Sequence, residues 1–147
     1  MYMQITSEVF GQLVQEAFHF LESEHDFRFV EQRPFKCYYH KPTGAISVVH
    51  DEGQSLLLWV TLFPAGDDRP GLELEDVLGV IDPEKYRSFR QMIANNPEEL
   101  TALLSQCAAA IREIGPDRIL SDPKLLTLAR RRQHERCLAY SRDKGTG

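Results

Sequence analysis

The segment Phe35-Lys-Cys-Tyr-Tyr-His-Lys-Pro-Thr-Gly-Ala-Ile-Ser-Val-Val-His-Asp-Glu-Gly-Gln-Ser-Leu-Leu-Leu-Trp-Val-Thr-Leu-Phe-Pro64 decides the fold. Three runs rich in aromatic and β-branched residues are separated by two short glycine-containing breaks, the pattern of an antiparallel meander. Lys41-Pro42-Thr43-Gly44 and His50-Asp51-Glu52-Gly53 each suit a type I turn followed by a glycine in the left-handed region, giving a three-residue loop with a bulge. In the second hairpin that loop sets Val48 opposite Leu56 and Ile46 opposite Leu58, on one apolar face with Val60 and Leu62. In the first, a slip of one residue decides whether Cys37 and Tyr39 or Tyr38 and His40 join that face. The placement that leaves Lys36 and His40 in water turns Phe35, Cys37 and Tyr39 inward, and it needs a tighter two-residue loop at Pro42-Thr43.

Outside this ribbon the chain reads as helix, apart from a leading strand at Phe27 to Glu31 that Pro34 ends or bends. Thr6 or Ser7 caps an amphipathic helix whose stripe is Phe10, Leu13, Val14, Ala17, Phe18 and Leu21. That helix is expected to cover the apolar side of the sheet. Pro64 to Gly71 has the composition of an exposed loop. Leu72 to Leu78 predicts a short helix with Leu74, Val77, Leu78 and Ile81 inward. Asp82-Pro83-Glu84, Asn96-Pro97-Glu98 and Asp122-Pro123-Lys124 each place a capping side chain before a proline at the first helical position, and predict three more helix starts. The helix from Asp82 points Tyr86, Phe89 and Ile93 inward. The helix from Pro97 carries the stripe Leu100, Leu103, Leu104, Cys107, Ala108 and Ile111 and stops at Gly115-Pro116. The last helix turns basic and is expected to fray from about Ser141. The fold class is α+β: an N-terminal helix, a meander of about four strands, then three to four helices.

A length of 147 residues suits one domain, residues 1–147. An apolar fraction of 42% and a charged fraction of 27% are those of an ordinary globular chain. No apolar run is long enough to span a membrane, and Met1 to Glu8 lacks the basic-then-apolar order of a secretory signal. Cys37, Cys107 and Cys137 are odd in number and unpatterned, so reduced thiols in a cytoplasmic protein are the simplest reading. The net charge of −5 is uneven: residues 118–147 hold eight Lys/Arg against three Asp/Glu. The acidic remainder argues against nonspecific nucleic-acid binding, and the basic tail is where an anionic partner would be met.

Candidate chemistry is sparse. His19, His25, His40, His50 and His134 are too scattered for a zinc site and read as surface or strand-end imidazoles. Cys37 and His40 stand three apart in one strand, on opposite faces, so they make no nucleophile–base pair. Cys107 lies in an apolar stripe, and Cys137 has arginines nearby but no base. The acidic pairs lack calcium-loop spacing, and no phosphate loop, nucleophile elbow or His-Glu-x-x-His occurs. No catalytic residue, cofactor or metal is therefore assigned. Leu57 and Trp59 project from the side of their strand opposite the core. Later helices are expected to cover them; an open patch would instead mark a protein partner or a homodimer. Arg130, Arg131 and Arg132 offer a site for an acidic protein or phosphate, or equally a solvated helix end whose cations oppose the dipole. Few aromatics interleave with them, which favours the solvated reading.

Phe20-Leu21 followed by Phe27, the Ile46-to-Asp51 strand with its hairpin, Leu74-Glu-Asp-Val-Leu78, and Ile119-to-Leu125 entering the last helix together carry a resemblance. In this order the chain resembles the small bacterial α+β proteins of unknown function found among immunity-like proteins of polymorphic toxin systems. That resemblance implies a non-enzymatic protein binder of the immunity-inhibitor type and brings no catalytic residues with it. The chain is also similar to type III secretion chaperones, which are small, acidic and cytoplasmic, with a leading helix and a meander. Those carry more strand between their last two helices, which places them second, beside a small enzyme of unrecognised class.

Overall fold

The computed structural model describes residues 4–52 and 54–145, with side chains to 140. The Thr6 hydroxyl accepts the Val9 amide at 3.1 Å and opens α1 (Ser7–His25), which Asp26 closes in the left-handed conformation. Phe10, Val14, Phe18 and Leu21 are buried along one stripe, each contributing about 1.5–3 kcal/mol relative to exposure. Phe20 lies off that stripe and is buried as well. The Arg112 guanidinium stands 4.9 Å over its ring and reaches Glu24, clamping α1 to a later helix.

The sheet is an antiparallel meander in the order β1 (Arg28–Gln32), β2 (Lys36–Lys41), β3 (Gly44–His50), β4 (Leu58–Pro64) and β5 (Leu72–Glu73). In the first hairpin Lys41 pairs with Gly44 across a two-residue loop, and Cys37 and Tyr39 are fully buried while Lys36 and His40 face water. Gly44 has φ +144°, and a Cβ there would meet the Phe63 carbonyl oxygen, so only glycine fits the turn.

The second hairpin departs from the expected register. Val48 pairs with Val60, Ile46 with Leu62, and His50 with Leu58. The Asp51 carbonyl accepts the Leu56 amide at 2.9 Å, its amide donates to the Leu57 carbonyl at 2.9 Å, and its carboxylate accepts the Ser55 hydroxyl at 2.6 Å. Leu56 is thereby drawn into the loop, in the left-handed region at φ 60°. Gly53, where a bulge is expected, lies outside the described residues. The backbone of Leu56 and Leu58 is engaged on its other side instead: Leu58 donates to Met92 O at 2.8 Å and Ala94 donates to Leu56 O at 3.0 Å. Buried His50 fastens the same segment, its Nε2 donating to Ala94 O at 2.9 Å, with Nδ1 2.9 Å from the Glu52 carboxylate. Because the displacement is an even number of residues, Leu58, Val60 and Leu62 still face the core.

Leu72 and Glu73 form the fifth strand rather than opening a helix, and α2 (Leu74–Ile81) starts after them. Leu74, Val77 and Leu78 are buried as expected, and Ile81 is half-buried. Asp82 does cap, its Oδ1 accepting the Lys85 amide at 3.1 Å, but no α-helix propagates. The chain makes turns and a 3₁₀ segment (Arg87–Arg90) that bury Tyr86 and Phe89 edge to face. Ile93, expected inward, is 41% exposed because Met92 to Ala94 is extended against β4 and pairs Ile93 with Leu57. Asn96 caps α3 (Pro97–Ile114), whose Leu100, Leu104, Cys107, Ala108 and Ile111 are buried. Gly115 closes that helix, and Pro116 opens a further one, α4 (Pro116–Ser121), where only a stop is expected. The Asp122 carboxylate accepts the Leu125 amide at 3.2 Å and starts α5 (Pro123–Gly145), which is helical past Ser141; the side chains from there on lie outside the described residues. Helices α1, α2 and α4 lie against the sheet, α3 packs along α1, and α5 along α2. No helix among the described residues is long and apolar enough to cross a membrane.

Candidate docking face

Alternation along the strands sends one set of side chains away from the core, and the pairing aligns them in three rows. Gln32, Lys36, Val49 and Trp59 form the first; Val30, Tyr38, Ser47, Thr61 and Glu73 the second; Arg28, His40, Ala45 and Phe63 the third. Along the β5 edge α5 stands beside these rows, and at their centre Ser47 is only 4% exposed. Val30 and Trp59 are each 46% exposed and Phe63 40%. The cover expected for Trp59 is incomplete: the ring stays 46% exposed and borders a cleft whose other wall is α5. Leu57 is half-buried by its bridge to Ile93 and continues the same side of the strand.

The face is chemically uneven. Arg28, Lys36 and His40 stand on β1 and β2, with no carboxylate in ion-pair range among the described residues. On the far side Glu73 accepts the Thr61 hydroxyl at 3.3 Å, and burial pushes its carboxyl above the usual range despite that bond. Gly71 sits beside Thr61 and Phe63, and a Cβ there would strike both side chains, so the glycine lets the Phe63 ring lie flat against the start of β5. Beyond β4 the face runs into a cleft of about 690 Å³ bordered by Trp59, Glu73, Gln91, Arg136, Cys137 and Tyr140.

The two edges of the sheet differ. The side-chain amide of Gln133 on α5 accepts the Glu73 amide at 2.8 Å and donates to Gly71 O at 3.1 Å, filling the edge of β5 as a neighbouring strand would. Strand β1 carries no such cap among the described residues, and its side chains are exposed except for half-buried Phe29.

The arginine cluster is divided among partners within the molecule. Arg130 pairs with Asp67 at 2.9 Å and reaches Pro70 O, and Arg132 pairs with Asp76 at 2.6 Å. Arg136 meets Asp76 at 2.8 Å and Glu75 at 2.9 Å. Arg131 is exposed. The solvated face expected of residues 130–132 thus holds for Arg131, while its neighbours bind α5 to α2 and to the loop after β4. Asp76, fully buried, is the anchor that sequence reading missed; its only signal is its place in the first turn of a helix otherwise apolar inward.

The core holds the groups whose proton affinity is most altered. Burial pushes the Cys37 and Cys107 thiols up to about 12 and raises the Tyr39 phenol further above its ordinary value. The Tyr39 hydroxyl donates to Val14 O at 3.4 Å, and the Cys107 thiol lies 3.5 Å from the Met92 sulfur. Cys37 points into the core while His40 points to water, as their spacing requires. His50 stands at the end of β3, as expected, but is buried there, only 2% exposed.

The chain matches no family model, no curated protein and no solved structure.

Proposed function

We propose that this chain is a non-catalytic binding protein whose uncovered sheet face docks another protein chain. The observation that carries the reading is the exposure of Val30, Trp59 and Phe63 together on one face. Apolar and aromatic groups there cost solubility unless a partner covers them, and tryptophan is enriched at the energetic centres of interfaces. The cations Arg28 and Lys36, with the His40 imidazole beside them, supply the polar rim that a docking surface needs. Cys37, Cys107 and Tyr39 are sealed in the core where no substrate reaches, which supports a role other than catalysis. An inhibitor-type binder of the immunity class is the concrete form that the sequence resemblance adds. The test is capture from the native host with the wild-type chain and with Trp59→Ala. A stoichiometric partner lost on substitution is expected. Equal capture by both chains removes the face from the reading, and turnover by the isolated chain overturns it.

A further inference from the structure

We infer that the partner this face fits is a second copy of the same chain, packed sheet against sheet about a two-fold axis running along β3. The inference rests on the reading of this face as a docking surface. It follows from how the rows are filled. The central strand carries only half-buried Ala45 and Val49 and buried Ser47 on this side, while β2 shows cationic Lys36 and imidazole-bearing His40, and β4 shows the aromatic rings of Trp59 and Phe63. A two-fold axis along β3 lays β2 of one copy over β4 of the other and keeps each row opposite itself. Lys36 then meets Trp59 of the partner subunit, and His40 meets Phe63 of the partner subunit. The low side chains of β3 leave room along the axis between these contacts. A cation over an indole face is a favourable contact that desolvation strengthens. An axis across the strands would set Lys36 against His40 of the partner subunit and leave the Lys36-to-indole contact unmade, so the electrostatics choose the first axis.

Size and context agree. Five strands at about 4.8 Å spacing and three rows about 7 Å apart give a face on the order of 500 Å², so about 1,000 Å² is buried across both copies. That area suits a reversible dimer rather than an obligate one. Aligned sheets pack about 10 Å apart with their strands within about 30° of each other, an arrangement that the small residues of β3 accommodate. Arg130, Arg132 and Arg136 of α5 are paired internally and do not compete for this surface.

Sedimentation velocity over a concentration series, with Trp59 emission as the second readout, tests the inference. Trp59 is the only tryptophan and stands at the contact, so its emission shifts to the blue as dimer forms. The mass is expected to rise from 16.9 kDa to twice that as concentration increases. Trp59→Lys places two cations against each other and is expected to leave a monomer with an unchanged circular dichroism spectrum. Adding Lys36→Glu to Trp59→Lys re-creates opposite charges across the axis and is expected to restore the dimer. A dimer that survives Trp59→Lys overturns the inference, as does a double variant that stays monomeric. A wild type that is monomeric throughout yet captures a Trp59-dependent host protein overturns the self-association and leaves the docking face standing.

Discussion

Two arginines hold the last helix through one buried carboxylate, and removing them should cost far more than removing the carboxylate. Arg132 Nη1 and Arg136 Nη2 lie 2.6 and 2.8 Å from the Asp76 oxygens, with Arg136 Nε at 3.2 Å, while Asp76 itself has no exposed side-chain surface. In Arg132→Met/Arg136→Met the carboxylate stays buried with no cation to compensate it, a loss of about 3–5 kcal/mol. In Asp76→Ala the guanidiniums, 29% and 43% exposed, turn into water, and only the hydrogen bonds are lost, about 1–2 kcal/mol. At this chain length each kcal/mol moves the melting temperature by about 2–4 °C, so the double arginine variant should melt on the order of 10 °C lower. Replacing Asp76 by leucine in the arginine-less background should recover most of that loss, because the uncompensated charge is then gone. Urea titrations followed by circular dichroism measure all four proteins. A loss below about 1 kcal/mol in the double variant, or a triple variant no more stable than the double, would refute the assignment of Asp76 as the anchor.

Gln133→Ala should cost about 1–2 kcal/mol and speed hydrogen exchange at the Glu73 amide, since the edge of β5 loses its two hydrogen bonds; unchanged protection there would contradict the capping role. Burial holds the Glu73 carboxyl above its ordinary value, so the native state binds the proton more tightly than the unfolded chain and loses stability as pH rises through that interval. Glu73→Gln should therefore raise the melting temperature at pH 7, with the gain vanishing below the ordinary carboxylate range; a gain that is flat with pH would show another cause. Asn96→Ala should cost about 1 kcal/mol by removing the cap on the Glu99 amide, measured by thermal melting, and an unchanged melting temperature would rule out that cap as a source of stability.

Local chemistry was legible in this chain wherever a residue and its near neighbours suffice. Thr6, Asn96-Pro97 and Asp122-Pro123 start helices because the cap, the fixed proline φ and the following apolar period lie within one turn of each other. The inward parity of β2, β3 and β4 was legible because the strand period is two, and an error of four residues in register leaves every side chain on its own side. Asp82-Pro83 carries the same signal as the other two starts and caps a turn, yet the helix does not grow, since Met92 to Ala94 is recruited as an extended partner for β4.

What tertiary structure alone decided is who meets whom across the chain. The fifth strand exists because Gln133, sixty positions later, satisfies its open edge, and Arg130, Arg132 and Arg136 of α5 are occupied because Asp67 and Asp76 come within reach. Trp59 lies outward by a parity the sequence already contained. That it stays 46% exposed depends on where the helices dock, and helix stripes fix which side is apolar without fixing which of the two sheet faces it will cover.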